Sequence, residues 1–224
     1  MKKMFLLGML SVIVLVAVSC ASSLRASEDF SDANEEWGVL YPFQEDGLWG
    51  YKDDLGNIII EPQFRGAGDF SEGLAFVTIG YPEILQRGFI DLTGELVISL
   101  PLGRLDVGDF SEGFARVNKR EWDFEREMPN IDSTFGPYVF IDRTGRNVFE
   151  QEFLYVRHFE GGFAIVTLFS GNDMVIDRTG QNAFGREFRE VRPFDENGYA
   201  LVIMLNGRQR YLHRSGRIVR NRPR

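Results

Sequence analysis

Histidine and cysteine are almost missing from this chain of 224 residues: His158, His213 and Cys20 are all it has. One cysteine excludes an internal disulfide, and so few His and Cys side chains exclude a zinc centre of the usual kind. Basic residues are short as well. Lys and Arg number 25 against 33 Asp and Glu, a net charge of −8, which excludes nucleic acid as a partner because phosphate binding runs on Lys and Arg. Proline is scarce, with 8 residues. The one long apolar run, Met4 to Val18, is interrupted by Gly8 and Ser11 and is too short to cross a bilayer comfortably. Neither a Gly-x-Ser-x-Gly elbow nor a glycine-rich phosphate loop ahead of a helix occurs.

What the first residues do contain has an order. Lys2 and Lys3 precede the apolar run, and small residues close it as Ala17-Val18-Ser19-Cys20-Ala21-Ser22-Ser23. That is the three-zone pattern of a secretory signal peptide over residues 1–19. Ala17-Val18-Ser19-Cys20 resembles the lipobox of bacterial lipoproteins, although Leu, Val or Ile is usual where Ala17 stands. The resemblance implies that the Cys20 thiol is acylated and becomes the mature N-terminus, so the expected location is the bacterial cell envelope, exported and lipid-anchored at the membrane. Cleavage removes Lys2 and Lys3 and no acid, leaving a mature net charge of −10. Residues 20–36, rich in Ser, Asp, Glu and Ala, read as a flexible lipidated tether.

Beyond the tether the chain repeats itself. Tyr51-Lys52-Asp53-Asp54-Leu55-Gly56 aligns with Phe89-Ile90-Asp91-Leu92-Thr93-Gly94 and Phe140-Ile141-Asp142-Arg143-Thr144-Gly145. Val175-Ile176-Asp177-Arg178-Thr179-Gly180 and Tyr211-Leu212-His213-Arg214-Ser215-Gly216 complete the series. A second signature follows each of the first four: Asp69-Phe70-Ser71-Glu72-Gly73, Asp109-Phe110-Ser111-Glu112-Gly113, His158-Phe159-Glu160-Gly161-Gly162 and Pro193-Phe194-Asp195-Glu196-Asn197-Gly198. Two signatures recurring in one order resemble the WG-repeat (KWG) family. The first unit is nearest to it, with Trp49-Gly50, Glu61-Pro62-Gln63-Phe64 and Phe70-Ser71-Glu72-Gly73; Trp-Gly drifts later to Arg87-Gly88, Tyr138-Val139, Asp173-Met174 and Gln209-Arg210. The resemblance implies an interaction module without chemistry of its own.

The physical reading of a unit agrees. Asp-Arg-Thr-Gly between β-rich segments is a hairpin turn whose glycine takes positive φ, and Phe-Ser-Glu-Gly is a second tight turn with its Phe aimed at the core. Apolar runs after it begin another strand. The expected fold is all-β, with tandem antiparallel hairpin or meander repeats stacked into one array over residues 37–220, either an open solenoid or a closed propeller. A basic tail, 221–224, follows. Turn glycines 56, 94, 145, 180 and 216 are 38, 51, 35 and 36 apart, so the long interval holds an insertion, 118–136, at a hairpin tip.

Candidate chemistry is thin. Asp53, Asp91, Asp142, Asp177, Glu72, Glu112 and Glu160 recur with the repeat, whereas catalysis needs one asymmetric constellation; an Asp just ahead of a turn glycine is better used in holding turn amides. Asp195-Glu196-Asn197-Gly198 lacks the alternating ligands of a calcium loop. The expectation is a non-enzymatic protein with no metal and no cofactor. Its expected role is to bind or scaffold an unknown protein or envelope polymer. The alternatives are an envelope glycan hydrolase with paired carboxylates and a passive spacer. Trp122 and Phe124, in the least repetitive segment, are the expected binding residues. The arginines at 214, 217, 220, 222 and 224 read either as an anion-binding tail or as protection of an edge strand.

Overall fold

The structure is a computed structural model, and it describes residues 38–80, 85–100, 106–119 and 137–222. Among these no residue is helical. The described residues form five units of three strands. The first unit is β1 (Tyr41–Glu45), β2 (Leu48–Lys52) and β3 (Ile58–Ala67); the second is β4 (Ala75–Ile79), β5 (Gln86–Ile90) and β6 (Leu96–Leu100). Then come β7 (Ala115–Asn118), β8 (Tyr138–Ile141) and β9 (Tyr155–Val156), and β10 (Phe163–Thr167), β11 (Asp173–Asp177) and β12 (Glu190–Val191). The last unit is β13 (Tyr199–Ile203), β14 (Gln209–His213) and β15 (Ile218–Val219). Every strand pairing joins antiparallel neighbours in sequence.

The first two strands of each unit make a hairpin, and the third crosses from that hairpin to the next. β3 shows this most fully. Its early residues pair with β2 (Lys52 with Ile58, Trp49 with Phe64), and its end pairs with β4 (Gly66 with Thr78, Ala67 with Val77). Likewise β9 and β12 pair onto the hairpin that follows them. Units are therefore stitched by main-chain bonds as well as by packing.

Packing explains the continuous apolar runs. Successive side chains of a strand point to opposite faces, and interior hairpins are covered on both. In β8, Val139 and Ile141 pack with Phe89, Ile98 and Val117, while Tyr138 and Phe140 pack with Ala164, Val166 and Ile176 of the next unit. In β10, Ala164 and Val166 face back, and Ile165 faces forward onto Ala200, Val202 and Leu212. Each interface between units is thus a two-sided apolar layer. The Phe of each second signature seals it: Phe70 lies edge-on to Tyr51 at 4.7 Å between ring centroids, Phe110 to Phe89 at 4.8 Å and Phe159 to Phe140 at 5.0 Å.

The glycine of the Trp-Gly signature has a steric cause. The crossing strand passes directly over it, so a Cβ on Gly50 would lie 2.4 Å from the Ile60 carbonyl oxygen, and one on Gly88 would lie 1.8 Å from that of Ile98. Later units carry Val139 and Met174 there. Their third segment meets the hairpin in isolated bridges, at Asn147 and Phe153 or Asn182 and Phe188, rather than as a continuous strand laid along it.

Candidate functional site

The repeated turns come first, because they hold nearly every acidic candidate. Asp53 Oδ1 accepts the Leu55 and Asn57 amides at 3.0 and 2.7 Å. Asp91, Asp142 and Asp177 repeat the arrangement and add a threonine hydroxyl, from Thr93, Thr144 and Thr179, at 2.6 Å each. The Asn57 amide side chain holds the Asp53 carboxyl below its ordinary range, and the Thr179 hydroxyl does so for Asp177. At Asp142 burial pushes upward, but the Thr144 hydroxyl and the Arg146 and Thr144 amides outweigh it and the net direction is down. His213 fills the same slot in the fifth turn, with Nδ1 3.2 Å from the Ser215 amide nitrogen and 2.9 Å from its hydroxyl.

The Phe-Ser-Glu-Gly turns form a second system that links units. Glu72 and Glu112 adopt positive φ of 52° beside Gly73 and Gly113, the geometry of a two-residue primed hairpin turn. Each turn then docks on the next. Ser71 Oγ donates to the Phe110 carbonyl and Ser111 Oγ to that of Phe159, both at 2.7 Å. Glu72 Oε2 accepts the Gly113 amide and Glu112 Oε2 the Gly162 amide, both at 2.9 Å. Arginines from the two Asp-Arg-Thr-Gly turns and from the His-Arg-Ser-Gly turn close over this ladder. Arg143 reaches Glu72, through its carbonyl and at 3.6 Å to its carboxylate, and lies over the Phe110 ring. Arg178 reaches Glu112 at 3.5 Å and lies over Phe114. Arg214 reaches Glu160 at 3.9 Å and lies over Phe194. In the second unit the position of these arginines is taken by an apolar residue, Leu92, buried among Leu40, Tyr51 and Ile60.

The ladder stops after the third turn, where Gly161 stands in the glutamate position. A Cβ on Gly161 would fall 1.5 Å from an Arg214 guanidinium nitrogen, so the arginine occupies the vacated space. The fourth turn is one residue longer and switches type: Asp195 Oδ1 accepts the Asn197 and Tyr199 amides at 2.9 and 3.0 Å, as in the aspartate turns. The Tyr199 amide bond holds the Asp195 carboxyl low, and Arg222 approaches its other oxygen at 3.1 Å. Both oxygens that a cation would need are engaged. Among the described residues no group of three or more His, Cys, Asp or Glu side chains is placed to hold a metal ion. A shallow recess opens at the break, lined by Arg157, His158, Glu160, Phe163, Pro193 and Phe194. His158 sits on its rim beside Glu160, in the position taken by Asp69 and Asp109 in earlier units.

Of those two aspartates, Asp109 has its carboxyl moved off its ordinary range. Burial, and then the charge of Asp69, raise the Asp109 carboxyl above its usual range, with Arg116 opposing. Burial and Asp69 also push the Tyr51 hydroxyl up, and that hydroxyl donates to the Gly68 carbonyl at 2.8 Å.

Cys20, Trp122 and Phe124 lie outside the described residues. The base of the insertion is described. β7 and β8 pair from Ala115 with Ile141 to Asn118 with Tyr138, and the Lys119 amide donates to the Pro137 carbonyl at 2.7 Å. The insertion is therefore joined to the body at the tip of the β7–β8 hairpin. The corresponding tips of the next two units carry exposed Phe169 and Leu205. Neither was singled out in the sequence. Their signal was an apolar residue beside the turn glycines Gly171 and Gly207, out of keeping with the polar residues such turns favour.

These features define an all-β array of repeated hairpins locked by side-chain ladders between turns. The WG-containing-repeat family matches residues 49–81, 88–121, 140–168 and 174–207, together more than half of the chain. The protein belongs to the WG-repeat family. No curated protein matches it in sequence. Among solved structures it is similar to the WD40 β-propeller domain of Doa1 (TM-score 0.34, 12% identity, covering 80% of this chain and 62% of that one). It is also similar to BamB from Moraxella catarrhalis (TM-score 0.41, 16% identity, 82% of this chain and 57% of that one). The chain spans about three-fifths of the length of these two structures. Neither likeness is close enough to bear on function or on the curvature of the array.

Proposed function

We propose that this WG-repeat protein is a non-enzymatic binding or scaffolding module, anchored through lipid on Cys20 in a bacterial cell envelope, that engages a protein or an envelope polymer along its hairpin-tip edge. The observation that carries the reading is a division of labour between repeated and unrepeated residues. The recurring carboxylates Asp53, Asp142, Asp177, Glu72 and Glu112 are committed to turn amides or to the next turn, which is structural work. The unrepeated material gathers instead at the tips, where the 119–137 connection leaves β7 and β8 and where Phe169 and Leu205 are exposed. Rigid strands displaying variable tips are the usual arrangement of a binding surface. Trp122 and Phe124 lie in sequence within the 119–137 connection.

The test is affinity capture from envelope extract with the full chain, comparing wild type, a version lacking residues 120–136, and Phe169→Ser with Leu205→Ser. A partner lost from either altered form supports the tip edge. Equal recovery from all three removes that edge from consideration. Retention of label from a palmitate analogue in wild type, and its absence in Cys20→Ser, tests the anchor.

A further inference from the structure

Every unit has a face toward the preceding unit and a face toward the following one, and the same strand positions build them throughout. On the forward face stands the aromatic or apolar residue of the second strand: Tyr51, Phe89, Phe140 and Val175, each packed against the next unit. On the backward face stand Ala75 with Val77, Ala115 with Val117, Ala164 with Val166, and Ala200 with Val202. The backward residue opposite the aromatic is Ile90, Ile141, Ile176 or Leu212. The first backward face and the last forward face have no unit of the described chain against them.

The last forward face retains the character of a joint. Register places Leu201, Tyr211 and Val219 side by side on it, with Tyr199 against the His213 ring at 4.7 Å, and these residues are half-buried rather than replaced by charges. The first backward face carries Tyr41 and Phe43 in the Ala and Val positions, with exposed Ile58 beside Lys52. Charge divides the ends. Residues 39–64 hold Glu45, Asp46, Asp53, Asp54 and Glu61 against Lys52 alone. Residues 199–222 hold arginines at 208, 210, 214, 217, 220 and 222 and no acid at all. Arg214 and Arg222 are ion-paired within the chain, while Arg208, Arg217 and Arg220 are exposed at the end.

We propose that copies of this protein join end to end, the basic forward face of one array seating the acidic backward face of another, so that the intermolecular joint repeats the internal one. Repeat equivalence then sets the contacts. Tyr41 and Phe43 cover Leu201, and Lys52, which lies 5.8 Å from the Phe43 ring centroid, meets the Tyr211 ring in the place where Ile90 meets Tyr51. Because the two faces differ, the contact is heterologous and builds open chains rather than closed dimers.

The experiment uses the full chain in detergent with Cys20→Ser as background, so that introduced thiols are the only ones. Lys52→Cys and Tyr211→Cys proteins are oxidised separately and mixed. A disulfide-linked dimer in the mixture alone is the expected result. Linkage within the Tyr211→Cys sample, or none anywhere, overturns the proposal. In sedimentation velocity the background protein should grow in average mass with concentration, and Leu201→Glu should weaken association at least roughly tenfold while melting like its parent. Salt near 1 M, where the screening length falls to about 3 Å, should weaken association likewise. A background protein that stays monomeric across the concentration range, or growth indifferent to Leu201→Glu, overturns it too.

Discussion

Glu72 Oε2 accepts the amide hydrogen of Gly113, forty-one residues further along, at 2.9 Å. The same bond runs from Glu112 to Gly162. Each glutamate holds a positive φ to make it, a conformation that costs a non-glycine residue about 1 kcal/mol, so the bond must outweigh its own backbone strain. Hydrogen bonds to charged groups contribute about 1.5–3 kcal/mol, and with the side chain about one-third exposed the lower part of that range applies. Glu72→Ala should therefore lose about 1 kcal/mol in urea unfolding. Glu72→Gly, which drops the bond and the strain together, should lose less. Equal losses from the two would show that strain is not part of the balance.

The two Trp-Gly glycines should be far less tolerant than the tip glycines. Ala at Gly88 places a methyl carbon on the Ile98 carbonyl oxygen and forces β5 and β6 apart, so a loss above about 3 kcal/mol or failure to fold is expected. Gly207, with positive φ but open space around it, should lose only about 1 kcal/mol on the same change. Soluble yield and thermal melting of the two variants separate the cases.

Much of this architecture was readable in the chain. The turn glycines, the strand after each Phe-x-x-Gly turn and the inward Phe all sit where composition and period placed them, because each rests on a local rule. The aspartate caps were readable for the same reason. The glutamate ladder was not. Ser-Glu-Gly reads as a turn former, and nothing local shows that the Ser and Glu side chains reach a turn some forty residues away. The exchange of arginine for Leu92 was also opaque, since it depends on packing against Leu40, Tyr51 and Ile60 of the preceding unit. Trp122, Phe124 and Cys20 stand outside the described residues. The tip residues Phe169 and Leu205 were not legible because a single apolar residue beside a turn glycine does not show from sequence whether it faces solvent or the core.

Acid should weaken the fold in a defined window. Asp53, Asp142, Asp177 and Asp195 all have carboxyls held below their ordinary range, so their contribution is complete above the unfolded value near 4 and is lost as pH falls through the folded values. Asp109 runs oppositely. Its raised value penalises the charged form, and protonation relieves that penalty as pH falls from neutral toward the unfolded value. Asp109→Asn should therefore raise the melting temperature at pH 7, with the gain shrinking toward pH 4. A decrease at pH 7 would indicate that the carboxylate earns more from Arg116 than it loses to Asp69 and burial.

His213 offers a substitution in the direction of the repeat. Its ring nitrogen accepts the Ser215 amide, whereas each aspartate in that slot also accepts the amide two residues later, here that of Arg217. His213→Asp should restore the second bond and place a carboxylate beside Arg214 and Arg217, for a gain of about 0.5–1 kcal/mol. The Tyr199 ring contact is lost in the exchange, so the gain should be larger if Tyr199→Leu is made first. Denaturant melts of the two singles and the double give the coupling directly.

The insertion can be removed without touching the joints between units. Lys119 and Pro137 already close the hairpin through a 2.7 Å main-chain bond, and Asn118 pairs with Tyr138 immediately inside it. An Asn-Gly turn in place of residues 120–136 meets the geometry that two facing strands need, and it shortens the loop to be closed in the unfolded chain. Stability should stay the same or rise slightly, by about 1 kcal/mol at most. A large loss would mean that the inserted segment packs on the body and is part of the fold. Unchanged melting together with lost capture of a partner would place the recognition function in the segment itself, carried by a hairpin that folds equally well without it.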